Sequence, residues 1–367
     1  MDLGSFVNTE RLVSRFVEMV QISSLSGEEE TISRYLADEF GKLGCDVTRE
    51  ACGNVIARYP AAGKPGTVMF CAHMDTVGKE REIRPIIEDG IIHTDGSTIL
   101  GADDKSGLTV MFEMLEILRE HPEIEHPALE MVSTISEEIG LIGAKTMDKS
   151  LLHADWGVVL DTGGPTGKVL ISQPYGRIMT FTFRGKASHA AGAPEKGINA
   201  IKAAALGIAK SPCGKVENDA VIGIGTINGG VATNVVPDKV VVKTMVRSPE
   251  YEKMLYWAGA MEAAMREGCA EVGAELEVET VENYPGYRLA QDHYLIQKME
   301  EACKRCGIGI NKVDALGGSD ANIFNNAGIP CIVTSSGDIG AHMKSEYIAI
   351  DDMVKSVKLH LTLITLP

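Results

Sequence analysis

The chain is short of positive charge: 35 Lys and Arg stand against 51 Asp and Glu, a formal net charge of -16 over 367 residues. Binding a phosphate backbone needs a basic face, so nucleic acid is excluded as a partner. A long apolar run is missing as well. The opening MDLGSFVNTERLVSRFVEMV mixes Glu and Arg into its apolar positions, unlike a secretory signal. The apolar VKLHLTLITLP is far shorter than the ~20 residues of a membrane-spanning helix and reads as the buried end of a final helix. The expectation is a soluble, cytoplasmic protein with no membrane partner. The cysteines at 45, 52, 71, 213, 269, 303, 306 and 331 lack framework spacing, which predicts free thiols. Cys303 and Cys306 form a CxxC within a helical pattern, with no second pair at zinc-finger distance; they read as a helix end closed by Gly307. A phosphate loop is absent too, because GADDKSG lacks GxxxxGK[ST] spacing and puts two carboxylates where phosphate oxygens would lie.

What is present is 44% hydrophobic residues in a chain long enough for two domains. Residues 9–43 read as two helices, with SGEEE at 26–30 as the capped start of the second. Strand 67–73 then leads through a Gly- and Asp-rich loop into a helix over 106–120, apolar at 108, 111, 112, 115 and 118. ALEMVSTI is a strand, EEIGLIGAKTM opens a helix, and WGVVL is a strand ending before Asp161. That alternation predicts a mostly parallel sheet with helices on its faces. From Gly176 the order changes to β-α-β-β-α-β, a ferredoxin-like pattern, until NYPGYR at 283–288 marks a boundary. Helix 292–306, a strand near PCIVT and helix 351–366 return to the first sheet. The expected organisation is an α/β domain over 1–175 and 286–367 with residues 176–285 inserted.

Acidic residues and His recur after apolar strands, where such a sheet places its ligand site: His73 and Asp75 in FCAHMDTV, Asp103 and Asp104 in LGADDKSG, Glu137 and Glu138 in TISEEIG, and Asp161 in VVLDTGG. His73 and Asp75 lie two apart on a strand and point the same way. His342 in SGDIGAHMKSEY is a fifth candidate. Carboxylates converging at one sheet edge repel one another unless cations lie among them. Carboxylates mixed with imidazole suit Zn²⁺, Mn²⁺ or Co²⁺, and two ions about 3.5 to 4 Å apart share a bridging carboxylate. One member of the Glu137–Glu138 pair then ligates while the other serves as base. Taken singly, Asp103 and Asp104 also suit a turn, and the Glu pair a helix N-terminus. His93, His121, His126, His153, His293 and His360 lack partners at ligand spacing and read as structural or solvent-facing.

HxD at a strand end, GADDKxG, EE, a later Asp and a final His, in that order, resemble the M20 metallopeptidases over almost the whole chain. The resemblance implies a zinc-peptidase catalytic domain with two divalent ions, zinc first and cobalt or manganese otherwise. His73 and Asp161 would hold one, Glu138 and His342 the other, and Asp103 both. It makes Glu137 the general base and Asp75 the carboxylate that receives the second N–H of His73. GKASHAAGAPEKGINAI resembles the family's lid, whose histidine, here His189, serves the partner subunit's site in a homodimer. TNVVPD and VRS resemble substrate-anchoring segments, which gives Asn234 and Arg247 a substrate carboxylate to bind. HMDT, GADDKSG and GGSDANIFNNAGIP with His342 and Glu346 look most like the tripeptide aminopeptidases of this family, which release an N-terminal residue from a short peptide. SHAAGAPEKGINA is nearer to its carboxypeptidases and aminoacylases. Three readings stay open: aminopeptidase, carboxypeptidase or N-acyl-amino-acid amidohydrolase with the same metals, and a non-catalytic metal-bearing scaffold.

Overall fold

The computed structural model describes residues 2–217 and 220–367, and the chain divides into two compact units. The larger comprises residues 1–171, 289–314 and 319–367; the smaller comprises 172–288 and 315–318. Together they make a mixed α/β protein with a large sheet in one unit and a smaller, strand-rich second unit.

The large sheet is built around four parallel strands in the order His126–Thr134, Gly63–His73, Trp156–Val159 and Cys331–Thr334. Their buried runs, such as Val68 to His73, are continuous rather than alternating, as expected where both faces are covered. The expectation of a mostly parallel sheet holds for this centre only. Val55–Tyr59 joins His126–Thr134 antiparallel, and Lys168–Gln173 joins Cys331–Thr334 antiparallel. The strand pair Asp46–Arg49 and Val55–Tyr59 is a hairpin linked by a short turn, a connection that cannot give parallel neighbours.

Helix Ala102–Glu120 packs against the His73 strand and buries nearly every side chain to Leu118, so it is an interior helix. Asp103 and Asp104 have non-helical φ/ψ, and regular winding resumes beyond them, close to the start expected at residue 106. Two other expectations are corrected. SGEEE does not cap its helix: Glu30–Lys42 begins after Glu29 without any side-chain cap. EEIGLIGAKTM is mostly loop, with a helix only over Ile142–Thr146, because Ser136, Gly140 and Leu141 all take positive φ and turn the chain before it can wind.

Apart from the two-residue strand Gly214–Lys215 at one edge of its sheet, the smaller unit's main elements run strand, helix, strand, strand, helix, strand: Tyr175–Arg184, Ala200–Lys210, Val221–Gly229, Lys239–Ser248, Tyr251–Val272 and Glu275–Tyr284. Its strands are antiparallel, with Tyr175–Arg184 between Lys239–Ser248 and Glu275–Tyr284. Alternate residues Met179, Phe181 and Phe183 share one core with Val242 of the neighbouring strand and with Ala203 and Met261 of the two helices. No helix among the described residues is long and apolar enough to cross a membrane. The CxxC closes helix Tyr294–Cys306, with Gly307 left-handed as its C-terminal stop.

The final helix, Ile350–Thr365, buries His360 completely. Its Nδ1 lies 2.8 Å from the Ser356 main-chain oxygen and its Nε2 2.9 Å from Thr334 Oγ1, an arrangement that suits the neutral ring. Burial pushes its pKa down to about 4. The unfolded chain takes up this proton near 6.5 and the native chain only near the lower value. The stabilising contribution is therefore complete above the unfolded pKa and is lost as pH falls through this window, by about 3 kcal/mol over its full width. Urea unfolding at neutral pH and near pH 5 is expected to show a smaller loss on acidification for His360→Gln than for the natural chain. Equal losses in both would remove His360 as the cause.

Candidate metal centre

His73 ends its strand in the core, with the ring 1% exposed. Nε2 lies 3.0 Å from Asp103 Oδ1, and the other oxygen of Asp103 lies 3.3 Å from Nε2 of His342. His342, held at φ +66 on a loop, also approaches Glu138, with Nε2 2.7 Å from Oε1. That approach is close but not aligned as a hydrogen bond, and Glu138 Oε1 is a buried oxygen without a hydrogen-bond partner among the described residues. An acceptor in this position suits a cation shared with the imidazole.

Ligand atoms within 4.8 Å of one another form three groups: His73, Asp103 and Asp161; Asp103, Glu138 and His342; and His73, Glu137 and Glu138. The first two have Asp103 in common, one carboxylate oxygen toward each. The cluster can therefore coordinate two metal ions. His93, His121, His126, His153, His293 and His360 belong to none of these groups among the described residues.

The electrostatics fit the same donors. Burial pushes Asp161 upward, and Asp103 adds to it; burial likewise raises Glu137, with Asp161 second. Burial also acts to raise Asp103, but the bonds from His342 and His73 outweigh it and hold that carboxyl low. The same partners, Asp103 and then Glu138, raise His342 to about 10. Without cations, the surroundings thus favour added protons on Asp161, Glu137 and the two imidazoles. Divalent cations held here would take the place of such protons, with both imidazoles neutral and the ligating carboxylates ionised, the forms in which these groups ligate.

Asp75 lies against His73 and also serves the loop of the glutamate pair. The nearest acceptor to His73 Nδ1 is the main-chain oxygen of Asp75 at 3.0 Å, with its carboxylate at 3.4 Å. The carboxylate accepts from Ser26 Oγ at 2.7 Å, from Glu137 N at 2.9 Å and from Glu138 N at 3.3 Å. It fixes the loop that carries the glutamate pair. Glu346, also buried, accepts from the N–H groups of Leu100 and Gly101 at 2.8 and 2.7 Å through one oxygen, and from Asp103 N at 3.1 Å through the other. Sequence reasoning gave Ser26 and Glu346 no task in the site. The available signal was Glu346 itself, an acidic residue four positions after His342.

The remaining candidates lie in the smaller unit. His189 bridges to Val235, and its Nδ1 accepts from the N–H of Gly192 at 2.9 Å and of Ala191 at 3.2 Å. Asn234 is exposed, and its main-chain oxygen accepts from Ala190 N at 3.0 Å. Arg247 lies over the Tyr284 ring at 5.9 Å, with its Nε buried and without a hydrogen-bond partner among the described residues.

Imidazoles and carboxylates gathered about one aspartate, at the ends of the central parallel strands, define a metallohydrolase type of site. The comparisons are more specific. The model of peptidase family M20/M25/M40 matches residues 69–366, and the chain belongs to that family. Among its relatives are the uncharacterized protein YqjE of Bacillus subtilis, 36% identical over 98% of both chains, and Peptidase T of Geobacillus thermodenitrificans, 26% identical over 97% of this chain and 98% of that one. Among solved structures, a tripeptidase from Staphylococcus aureus superposes with a TM-score of 0.92 at 32% identity, covering 98% of each chain. The aminopeptidase PepT from Bacillus cereus gives 0.87 at 36%, covering 98% of this chain and 99% of that one.

Proposed function

We propose that this protein is a two-metal aminopeptidase that releases the N-terminal residue of short peptides, tripeptides first. The observation that carries the reading is Asp103, whose two oxygens face two separate groups of ligand atoms. In this reading His73 and Asp161 hold one ion, Glu138 and His342 the other, and Asp103 both. Zinc held there, or cobalt or manganese in its place, would supply the chemistry of lowering the pKa of a water to about 7 and polarising the scissile carbonyl. Glu137, bonded through its N–H to Asp75 and buried beside the ligands, takes the proton from the attacking water and delivers it to the leaving amine. Arg247, with an unsatisfied buried donor, and Asn234 receive the substrate's terminal carboxylate. The smaller unit is a lid of ferredoxin-like element order that pairs with its twin, His189 stabilising the oxyanion in the neighbouring subunit. The choice of an aminopeptidase is supported by the relatives called tripeptidase and aminopeptidase.

The test is one panel on the purified protein, whose mass is first taken by sedimentation. Free tripeptides are expected to lose their N-terminal residue, and N-acylated versions to resist. Chelation abolishes the rate, and Zn²⁺, Co²⁺ or Mn²⁺ restores it. Preference for the N-acylated peptides would favour the amidohydrolase instead. Full activity without metal would end the two-metal reading, and a fully active monomer would end the paired lid.

A further inference from the structure

We infer that Glu29 is a positioning residue for Glu137: it fixes the loop that aims the base, although it touches neither the ligand cluster nor a substrate. This rests on the reading of Glu137 as the base. Glu29 comes from the segment just before the second helix, 107 positions before Ser136, and is 5% exposed. Its side chain leaves its own helix uncapped. Instead a single oxygen, Oε1, accepts from Gly27 N at 2.8 Å, Ser136 N at 2.9 Å and Ser136 Oγ at 2.7 Å.

Ser136 is held at φ +49, the left-handed region that a residue with a Cβ enters at a cost. This turn presents the following two N–H groups, of Glu137 and Glu138, to the carboxylate of Asp75. Asp75 is itself bonded by Ser26, from the same segment as Glu29. That segment is tied to the outgoing end of the His73 strand, with Thr76 N bonded to the Ser24 oxygen at 2.9 Å and Ser26 N to the Thr76 oxygen at 3.3 Å. The strand end and the glutamate loop are thus referenced to one piece of chain. Without Glu29, Ser136 has an open route back to negative φ, and Glu137 turns with it.

One oxygen at full reach is what the geometry demands, so reach and charge can be separated. Glu29→Gln keeps an oxygen at that reach and loses the charge; Glu29→Asp keeps the charge and falls one methylene short. Glu29→Gln is expected to retain the rate within about threefold, since a neutral acceptor still serves. Glu29→Asp is expected to lose about 10- to 100-fold in kcat, with KM and metal content unchanged. Ser136→Gly added to Glu29→Asp should recover part of that loss, because glycine takes positive φ without strain. Glu29→Asp turning over at the natural rate would overturn the proposal, as would Glu29→Gln failing equally or either variant shedding metal. Glu137→Gln, run alongside, separates the two claims. If it stays active the base reading fails, whereas if it is dead while Glu29→Asp is unimpaired, only the role of Glu29 fails.

Discussion

Glu137→Gln is expected to bind two metal equivalents and hold substrate at nearly the natural KM while kcat falls by roughly 10²- to 10⁴-fold or more. The amide keeps the shape of the side chain, and the loop is held by main-chain N–H groups to Asp75 that the substitution leaves in place. Only the capacity to accept a proton goes. Geometry alone leaves room for the opposite assignment, because Glu137 and Glu138 both come within ligand distance of His73. What separates them is His342, which approaches Glu138 and joins the group that lacks Glu137. Elemental analysis beside steady-state kinetics decides the matter. If Glu137→Gln loses a metal and Glu138→Gln keeps both, the pair has been assigned in reverse.

Asp103→Ala is expected to fail differently, with metal content falling from two equivalents toward zero and the rate dropping by at least about 10²-fold, beyond rescue by moderate excess of metal. One carboxylate faces both His73 and His342, so its removal opens both positions at once. His342→Ala, by contrast, removes a donor from one group only and should leave about one equivalent bound. Two equivalents retained by Asp103→Ala after dialysis would take that residue out of its shared position.

Much of this centre was legible because its chemistry is local. His73, Asp103, Glu138 and Asp161 each follow an apolar strand or open a buried helix, and a sheet of this kind gathers such ends at one edge. The supports were not legible, for a physical reason. Glu29 and Ser26 lie in SGEEE, which locally is a good helix start, and only contacts with residues 107 and 49 positions away draw their side chains off that task. EEIGLIG misled in the same way: its composition favours a helix, but the positive φ of Ser136 and Leu141 is imposed by the surroundings. The antiparallel edges of the sheet were hidden because strand propensity carries no direction.

The carboxylate of Glu346 turns a stretch of surface loop into a ruler. Residues 343–345 are exposed, the sort of place where a chain ordinarily accepts insertions without penalty. Here the four steps from His342 to Glu346 measure the gap between a donor at the cluster and the carboxylate that grips the N–H groups of Leu100, Gly101 and Asp103. An added residue is expected to loosen either the grip or the placement of the imidazole, which metal content of such a variant would show. The length of this loop, as well as the identity of its side chains, therefore bears on whether the imidazole reaches the cluster.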